Sequence, residues 1–448
     1  MRQHAKTILF SVTCYVLAAS VTVCVLPALY YAVSRGNGEI ATLSVPFLIR
    51  LASVSAPVLF LLYWFAYRRV MSAGYALWVL LFLSAIAKLA LGVAFHQFGD
   101  EGQLPVVVEG GLPFSRWLAG SAVLAWGYHA VWKCPPIFAH LPDGFTSASA
   151  YVRLVGAGVM MVAALVFTRM YPRRLAVWLP MLSPLWLMFG GGYDEYYPFI
   201  AWVWMSALLL LYERRRQALP SWQAALYVAV CPLAYVGFAP LGLILFVWQV
   251  VMNPKRIVQL AIWTALFYVA GIRLFFEGGI AAYFTELYTN LNLGEMCTLW
   301  WRYKTHAASP TSIFFDVRYA VSMVHMAEIA FFLFFGCGWV VVPLGVFGVW
   351  WNRHAVARVG WPSLRALGPL FVVLLMQIHY LVFMIPKLGP SNDVDLFFSV
   401  YFTLAFVVGL VLDTRLTDES KAVSTRYLIL SAAAGGSIPA LLFNLLAG

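Results

Sequence analysis

Pairs of carboxylates occur in three short polar segments of a chain that is otherwise strongly apolar. The pairs are Asp100 and Glu101, Asp194 and Glu195, and Asp393 and Asp395. A carboxylate beside a membrane boundary must be solvated, paired or bound to something. When burial raises its pKa, it becomes able to take a proton from a hydroxyl group. If the three segments meet on one side of a membrane, they predict acid–base chemistry or cation binding there.

Asp100 and Glu101 lie in a loop that follows a long apolar stretch. We interpret Asp100 as a general base that deprotonates an acceptor hydroxyl, and we group Glu101 with it as a catalytic acid. The alternative is that these residues are solvated loop acids that cap the next helix.

Asp194 and Glu195 stand among tyrosines and follow the glycines at 190–192. The glycines permit a tight turn or a close approach of the backbone. Tyrosines such as Tyr196 suit sugar binding, because their rings stack on pyranose faces and their hydroxyl groups bond to polar atoms. An interfacial aromatic belt is the alternative, and it would explain the tyrosines but not the acid pair.

Asp393 and Asp395 form an alternating Asp-Val-Asp pattern before an apolar stretch. If the backbone is extended, both carboxylates lie on one side. They would then bind a divalent cation or accept hydrogen bonds from sugar hydroxyl groups. The alternative is that either acid caps the helix that begins near residue 396. The sequence predicts no cofactor with certainty, and the metal stays unassigned.

A basic and aromatic cluster lies in the longest polar segment. Arg302, Lys304 and His306 follow two tryptophans at 300–301, and Arg318 comes later in the same segment. We interpret these side chains as ligands of a lipid phosphate, with the tryptophans at headgroup depth. Ordinary anchoring at the membrane surface is the alternative. Basic residues outside run against the usual charge bias of membrane loops, which favours the functional interpretation.

The composition is typical of a membrane protein. Of the 448 residues, 63% are hydrophobic and only 10% are charged, whereas a soluble domain is about 25% charged. The net charge of +11 comes from short clusters between apolar segments. Membrane topology requires such clusters, so we expect no nucleic-acid partner. The motifs HExxH, GxSxG and Walker A do not occur, which leaves a zinc protease, a serine hydrolase of that type and a P-loop ATPase unsupported.

The apolar segments predict an all-α, polytopic helical membrane protein with about thirteen transmembrane helices plus amphipathic helices on the outer face. We expect spans at residues 7–33, 43–67, 73–95, 147–168, 175–189, 199–212, 222–236, 240–252, 257–276, 327–351, 367–386, 396–412 and 427–446. Segment 114–132 is apolar but carries charges, and we expect it to lie flat on the outer surface. The chain then forms one integral membrane domain, 1–448, with outer loops at 96–146, 190–198, 277–326 and 387–395.

Basic residues concentrate on the side that this topology assigns to the cytoplasm. They include Arg169, Arg173, Arg174, Arg214, Lys255, Arg256, Arg353 and Arg426. The acids on that side are Glu213, Asp413, Asp418 and Glu419, out of 18 in the chain. We therefore expect a cytoplasmic N-terminus. Insertion does not require acids outside, so their concentration there indicates chemistry or cation binding.

Three motifs, in this order, resemble outer-loop motifs of bacterial multispan membrane glycosyltransferases of the GT-C superfamily. Phe98-Gly-Asp-Glu-Gly102 is similar to a Gly-Asp-Gly loop but has an inserted glutamate. The segment Gly192-Tyr-Asp-Glu-Tyr-Tyr-Pro198 is similar to Gly-Tyr-Val-Glu-Asn-Tyr-Pro. The segment Asp393-Val-Asp-Leu-Phe397 is similar to Asp-Trp-Asp-Leu-Phe without the tryptophan.

The resemblance implies transfer of a sugar from a polyprenyl-phosphate donor to an envelope glycan, lipid or protein acceptor at the periplasmic face of a bacterial inner (plasma) membrane. It places the catalytic acid in the first large outer loop, at Asp100, and the later acids around the sugar or the acceptor. A secondary transporter or lipid flippase is the alternative, and it would carry its key charges near the middle of the bilayer. A non-catalytic membrane partner in envelope assembly is a third hypothesis.

Overall fold

The computed structural model describes residues 9–22, 25, 70–90, 103–111, 118–193, 195–214, 217–276, 278–291, 321–356, 361–383, 397–414, 416, 425–426 and 428–438. Within these residues the secondary structure is helical and contains no β-strand. The all-α prediction is therefore confirmed for the described part of the chain.

The helices are labelled in chain order. The first half contains α1 (Leu9–Thr22), α2 (Val70–Ala90), α3 (Gln103–Gly110), α4 (Leu118–Gly127), α5 (Pro135–Phe138), α6 (Ala148–Met170), α7 (Leu175–Met181), α8 (Pro184–Gly190) and α9 (Tyr197–Glu213). The second half contains α10 (Ser221–Ala234), α11 (Ala239–Met252), α12 (Ile257–Phe275), α13 (Gly279–Leu291), α14 (Met323–Phe332), α15 (Val341–Val356), α16 (Trp361–Phe383), α17 (Phe398–Asp413) and α18 (Leu428–Ile438).

Two of the described helices are long and apolar enough to cross a membrane. They are Ala148–Met170 and Pro254–Phe275, the second of which joins a short 3-10 turn to α12. A bent pair, His325–Gly338 with Val341–Trp351, would make a third span. Other apolar helices have 10–17 residues, fewer than the roughly 20 that a straight span needs. The helices thus favour a membrane protein, while the thirteen spans stay a prediction.

One end of the helix bundle, here called the Glu195 end, is defined by two sets of contacts. Leu89, near the end of α2, packs against Phe145 and Ala150 beside the start of α6. An added Cβ at Gly156 of α6 would lie 3.5 Å from the carbonyl oxygen of Tyr193. The loop between α8 and α9 therefore lies at the same end as the start of α6.

The opposite end, here called the Asp413 end, is where α17 finishes and α7 begins. The Asp413 carboxylate accepts hydrogen bonds from the backbone N–H groups of Leu175 (3.0 Å) and Ala176 (3.2 Å). Tyr212, near the end of α9, has its ring 6.3 Å from that of Phe406 in α17. Helices α6 and α9 therefore run from the Glu195 end to the Asp413 end, and α7 and α8 together return from the Asp413 end to the Glu195 end.

Helix α2 ends and α6 begins at the Glu195 end. Between them, α3 packs against α4 and α6. The indole Nε1 of Trp132 donates to the carbonyl oxygen of Phe145 at 3.0 Å. The expectation that segment 114–132 lies flat on the outer surface stays a prediction.

Two predicted continuous spans are broken in the structure. The predicted span 175–189 is divided into α7 and α8, because Ser183 caps α8 by accepting from the Trp186 N–H, and Pro184 follows it. The predicted span 327–351 bends by 83° after Gly338, which has a φ of +81°. A positive φ is available to glycine at little cost, so the break occurs there.

Helix α13 is a structural element that the sequence reasoning assigned to a loop. It begins in the predicted outer loop 277–326 and packs back on α12. Tyr283 is buried between the two helices, with its ring 5.6 Å from that of Phe276. The Tyr283 and Tyr268 hydroxyl oxygens lie 3.4 Å apart.

Candidate functional site

Glu195 and Tyr196 are the predicted site residues that the structure describes. The other predicted site residues lie outside the described ranges: Asp100, Glu101, Asp194, Asp393, Asp395, Arg302, Lys304, His306 and Arg318. The candidate site is therefore built from Glu195 outward and from the described residues that flank the remaining segments.

Glu195 is buried in the short connection between α8 and α9. Its side chain is 3% exposed, although a carboxylate is costly to remove from water. Gly192 precedes it with a φ of +97°, so the tight turn predicted from the glycines is present. The carboxylate is thus held inside the Glu195 end of the bundle.

Aromatic rings surround the Glu195 loop. The Tyr196 ring lies 4.5 Å from that of Tyr197 and 5.4 Å from that of Tyr235, measured between centroids. Tyr235 comes from the junction between α10 and α11, and it is a residue that the sequence reasoning did not select. Aromatic rings from two separate parts of the chain thus pack together at the Glu195 end.

The Tyr196 hydroxyl group donates a hydrogen bond to the Tyr197 hydroxyl oxygen at 3.3 Å. Burial raises the pKa of the Tyr196 phenol well above its ordinary value, and the nearby Tyr235 and Glu195 add to the shift. The phenol keeps its hydrogen at physiological pH, and the Tyr197 hydroxyl oxygen accepts that hydrogen. The Tyr196 oxygen can still accept a hydrogen bond from a hydroxyl group of a ligand, as can the buried carboxylate beside it.

The start of α17 lies against the same loop. The Tyr197 ring is 5.6 Å from that of Phe398. Phe397, the described residue nearest in sequence to Asp395, has its ring 4.7 Å from Phe332 and 5.3 Å from Tyr380. Two of the three predicted acid segments are therefore flanked by residues that pack together at the Glu195 end.

A buried histidine and glutamate lie at this end as well, and the sequence reasoning did not select them as a pair. Nδ1 of His325 is 3.0 Å from Oε2 of Glu328, and Nε2 is 2.8 Å from the carbonyl oxygen of Val382 in α16. Their spacing of three residues in an apolar helix was the signal that could have found them, because such residues share one helix face.

An open apolar groove of about 490 Å³ lies between α10, α11 and α12. Small residues form much of its lining, among them Ala239, Gly242 and Ala265. Pro232 and Tyr268 line its part nearest the Glu195 end. The exposed side chains of α12 beside the groove are apolar, including Leu266 at 54% exposure, so the groove opens onto an apolar surface.

The described residues contain no group of three or more His, Cys, Asp or Glu that could hold a metal ion. The acids predicted to accept a divalent cation, Asp393 and Asp395, lie outside those residues. Comparison with protein-family models, curated proteins and solved structures finds no match to this chain.

Proposed function

We propose that this chain is an integral membrane glycosyltransferase that uses a polyprenyl-phosphate-linked sugar as its donor. The observation that carries the proposal is the buried Glu195 loop, whose tyrosines pack against the start of α17. Asp395 stands two residues before Phe397 in the sequence. We propose that the acids of the three segments gather at this end of the bundle, as a sugar site requires.

The proposed orientation follows from charge. The Asp413 end of the bundle carries a set of basic residues, namely Arg169, Arg173, Arg174, Arg214, Lys255, Arg256 and Arg426. Basic residues near span ends favour the cytoplasmic side. We therefore assign the Asp413 end to the cytoplasm and the Glu195 end to the periplasmic face of a bacterial inner membrane, with about thirteen spans in the whole chain.

In the proposed reaction an acceptor hydroxyl oxygen attacks the anomeric carbon of the donor sugar. Asp100 takes the hydroxyl proton as the bond between that carbon and the phosphate oxygen breaks. The bonding pair leaves with the polyprenyl phosphate, and attack from the opposite face inverts the anomeric centre. Each step conserves charge, because the negative charge lost by Asp100 appears on the departing phosphate.

The remaining predicted residues bind and orient the reactants. Arg302, Lys304 and Arg318 neutralise the phosphate, where negative charge grows most in the transition state, and His306 assists them. Glu195, Tyr196, Asp194, Asp393 and Asp395 contact the sugar or the acceptor. We propose that a divalent cation, if one is used, is held by the last two acids.

The groove between α10, α11 and α12 is the place that we propose for the hydrocarbon chain of the donor. Its lining is apolar and it opens sideways, as a lipid that enters from the bilayer requires. The end lined by Pro232 lies three residues from Tyr235, whose ring stacks on that of Tyr196. A chain in the groove would thus bring its phosphate toward the Glu195 loop.

The test is sugar transfer by the purified full-length chain in proteoliposomes. Radiolabelled polyprenyl-phosphate sugars are added with an envelope lipid and glycan fraction, and label is followed into the acceptor. We expect label transfer together with release of polyprenyl phosphate. No transfer with any donor, together with uptake of a solute driven by an ion gradient, would overturn the proposal.

A secondary transporter is the second candidate, and one feature favours it. Helix α14 bends by 83° into α15, and broken helices with buried ionisable groups are typical of transporters. The His325–Glu328 pair lies in α14 on the Glu195 side of the bend. The uptake measurement in the same proteoliposomes separates this candidate from the transferase.

A further inference from the structure

The imidazole of His325 is enclosed on both sides by oxygen atoms. Its side chain is fully buried, and the Glu328 side chain beside it is 6% exposed. The residue lies in the first turn of α14, where its backbone N–H donates to the Ser322 hydroxyl oxygen at 3.2 Å. The ring therefore has a fixed position relative to both of its oxygen neighbours.

The carbonyl oxygen of Val382 determines the state of one ring nitrogen. It lies 2.8 Å from Nε2, and a carbonyl oxygen can only accept a hydrogen bond. Nε2 must therefore carry a hydrogen atom. A bare nitrogen at that distance would place two lone pairs against each other in a site without solvent, which is unfavourable.

The second nitrogen faces the same requirement. Nδ1 is 3.0 Å from Oε2 of Glu328, so a proton must lie between these two atoms. Either the histidine is doubly protonated and the glutamate is ionised, or the histidine is neutral and the glutamate is protonated. In both cases the pair is neutral overall, which is the state that burial favours.

We infer that His325 and Glu328 form a protonation site that holds one shared proton in addition to the Nε2 proton. With that proton in place, the bond to Glu328 fixes the ring within α14, and the Nε2–H bond to the Val382 carbonyl oxygen fastens the start of α14 to the last turn of α16. The contact joins the chain at residue 325 to the chain at residue 382. His325 and Glu328 thus position α14 against α16, and the shared proton is required for that contact.

A consequence for catalysis rests on the proposed function. The fastened turns of α14 and α16 carry Phe332 and Tyr380, whose rings lie 4.7 Å and 5.3 Å from that of Phe397 at the start of α17. Loss of the contact would shift the start of α17 relative to the Glu195 loop, and a displacement of about 1 Å can cost a factor of about 10² in rate. The pair acts through other residues and does not touch the reacting atoms.

The protonation state is measured by nitrogen-15 NMR of the full-length, histidine-labelled protein in lipid, together with infrared difference spectra for Glu328. The chain has 8 histidines, and the His325 signal is identified as the one lost in His325→Gln. His140→Gln is the matched control, because His140 is exposed and its replacement removes a different signal.

Two results would support the inference: a doubly protonated His325 with ionised Glu328, or an Nε2-protonated His325 with protonated Glu328. An Nε2-protonated ring beside an ionised carboxylate would overturn it, as would a ring protonated on Nδ1 alone. Glu328→Gln keeps a donor for Nδ1, so we expect a folded protein with a neutral, Nε2-protonated His325.

The activity readout is kept separate from the NMR readout. In the transferase assay, Glu328→Ala should lower sugar transfer by about 10²-fold, and Glu328→Gln should restore most of it. Equal activity of Glu328→Ala and wild type would overturn the positioning role. Absence of transfer in the wild type would refute the proposed function, while the NMR result would still decide the protonation site.

Discussion

Asp413 joins the end of α17 to the start of α7, and its replacement by alanine should destabilise the protein strongly. The carboxylate is 7% exposed. Its two oxygens accept from the N–H groups of Leu175 at 3.0 Å and Ala176 at 3.2 Å. Arg174, the residue at the N-cap position of α7, provides no side-chain hydrogen bond of its own. The first turn of this seven-residue helix therefore depends on a residue from another helix.

The size of the effect follows from these two hydrogen bonds. Each buried N–H group left without an acceptor costs about 1–3 kcal/mol, so Asp413→Ala should lower the free energy of unfolding by about 2–6 kcal/mol. Asp413→Asn keeps one acceptor oxygen and turns an amide group toward the second N–H. It should therefore cost about half as much, roughly 1–3 kcal/mol.

The assay is thermal unfolding of the full-length protein in detergent, with Thr414→Ala as the matched control. Thr414 is the next residue, is exposed, and bonds to the carbonyl oxygen of Val411. We expect the lowest unfolding midpoint for Asp413→Ala, an intermediate one for Asp413→Asn, and one near wild type for Thr414→Ala. If Asp413→Ala unfolds at the same temperature as Thr414→Ala, the capping role of Asp413 is refuted.

Three further predictions concern packing, the site and the groove. Gly409→Ala should destabilise the protein, because an added Cβ would collide with the backbone of Ala176; thermal unfolding measures this. Glu195→Gln should keep the fold but lower sugar transfer by about 10- to 10²-fold, since Glu195 binds a reactant in the proposed site. Ala265→Trp should fill the groove and weaken binding of a polyprenyl-phosphate sugar in proteoliposomes, whereas Leu266→Trp on the exposed face should not.

Each of these predictions has a result that contradicts it. An unchanged unfolding midpoint in Gly409→Ala would mean that the backbones of α17 and α7 do not approach each other as closely as in the structure. Wild-type transfer by Glu195→Gln would remove that residue from the site. Equal donor binding by Ala265→Trp and Leu266→Trp would show that the groove does not hold the donor chain.

The sequence was most informative where an apolar helix is long and uninterrupted. The predicted span 147–168 corresponds to α6 at Ala148–Met170, and 199–212 corresponds to α9 at Tyr197–Glu213. Hydrophobic length and charged ends determine such helices. The predicted segments 222–236 and 240–252 are separate helices in the structure, and a 3-10 turn at Val236–Phe238 lies between them.

Features that depend on tertiary contacts were not visible in the sequence. The bend after Gly338 occurs where an added Cβ would lie 3.0 Å from the Ser437 hydroxyl oxygen, which comes from a helix far along the chain. The contact between Asp413 and α7 spans more than two hundred residues. Hydropathy carries no information about such partners, because it averages over neighbours in sequence.

For the candidate site as well, local features could be predicted from the sequence and contacts between distant residues could not. The glycines and acids at 190–195 predicted a tight turn with a carboxylate, and the Gly192 turn with buried Glu195 agrees with that prediction. Tyr235 was missed as a site residue, because a lone tyrosine in an apolar stretch carries no local signal. His325 was missed because its spacing from Glu328 was not interpreted as a pair. Their roles depend on the ring of Tyr196 and on the carbonyl oxygen of Val382.

Sugar transfer by Asp100→Asn, measured beside Glu109→Gln, tests the proposed chemistry most directly. Glu109 lies on α3 near the same end of the bundle, where its carboxylate is 3.8 Å from Nζ of Lys133 in a largely exposed pair, and such a pair contributes little. We predict that Asp100→Asn folds and inserts but loses activity by about 10²- to 10⁴-fold, while Glu109→Gln transfers sugar like wild type. Wild-type turnover by Asp100→Asn would contradict the assignment of Asp100 as the general base.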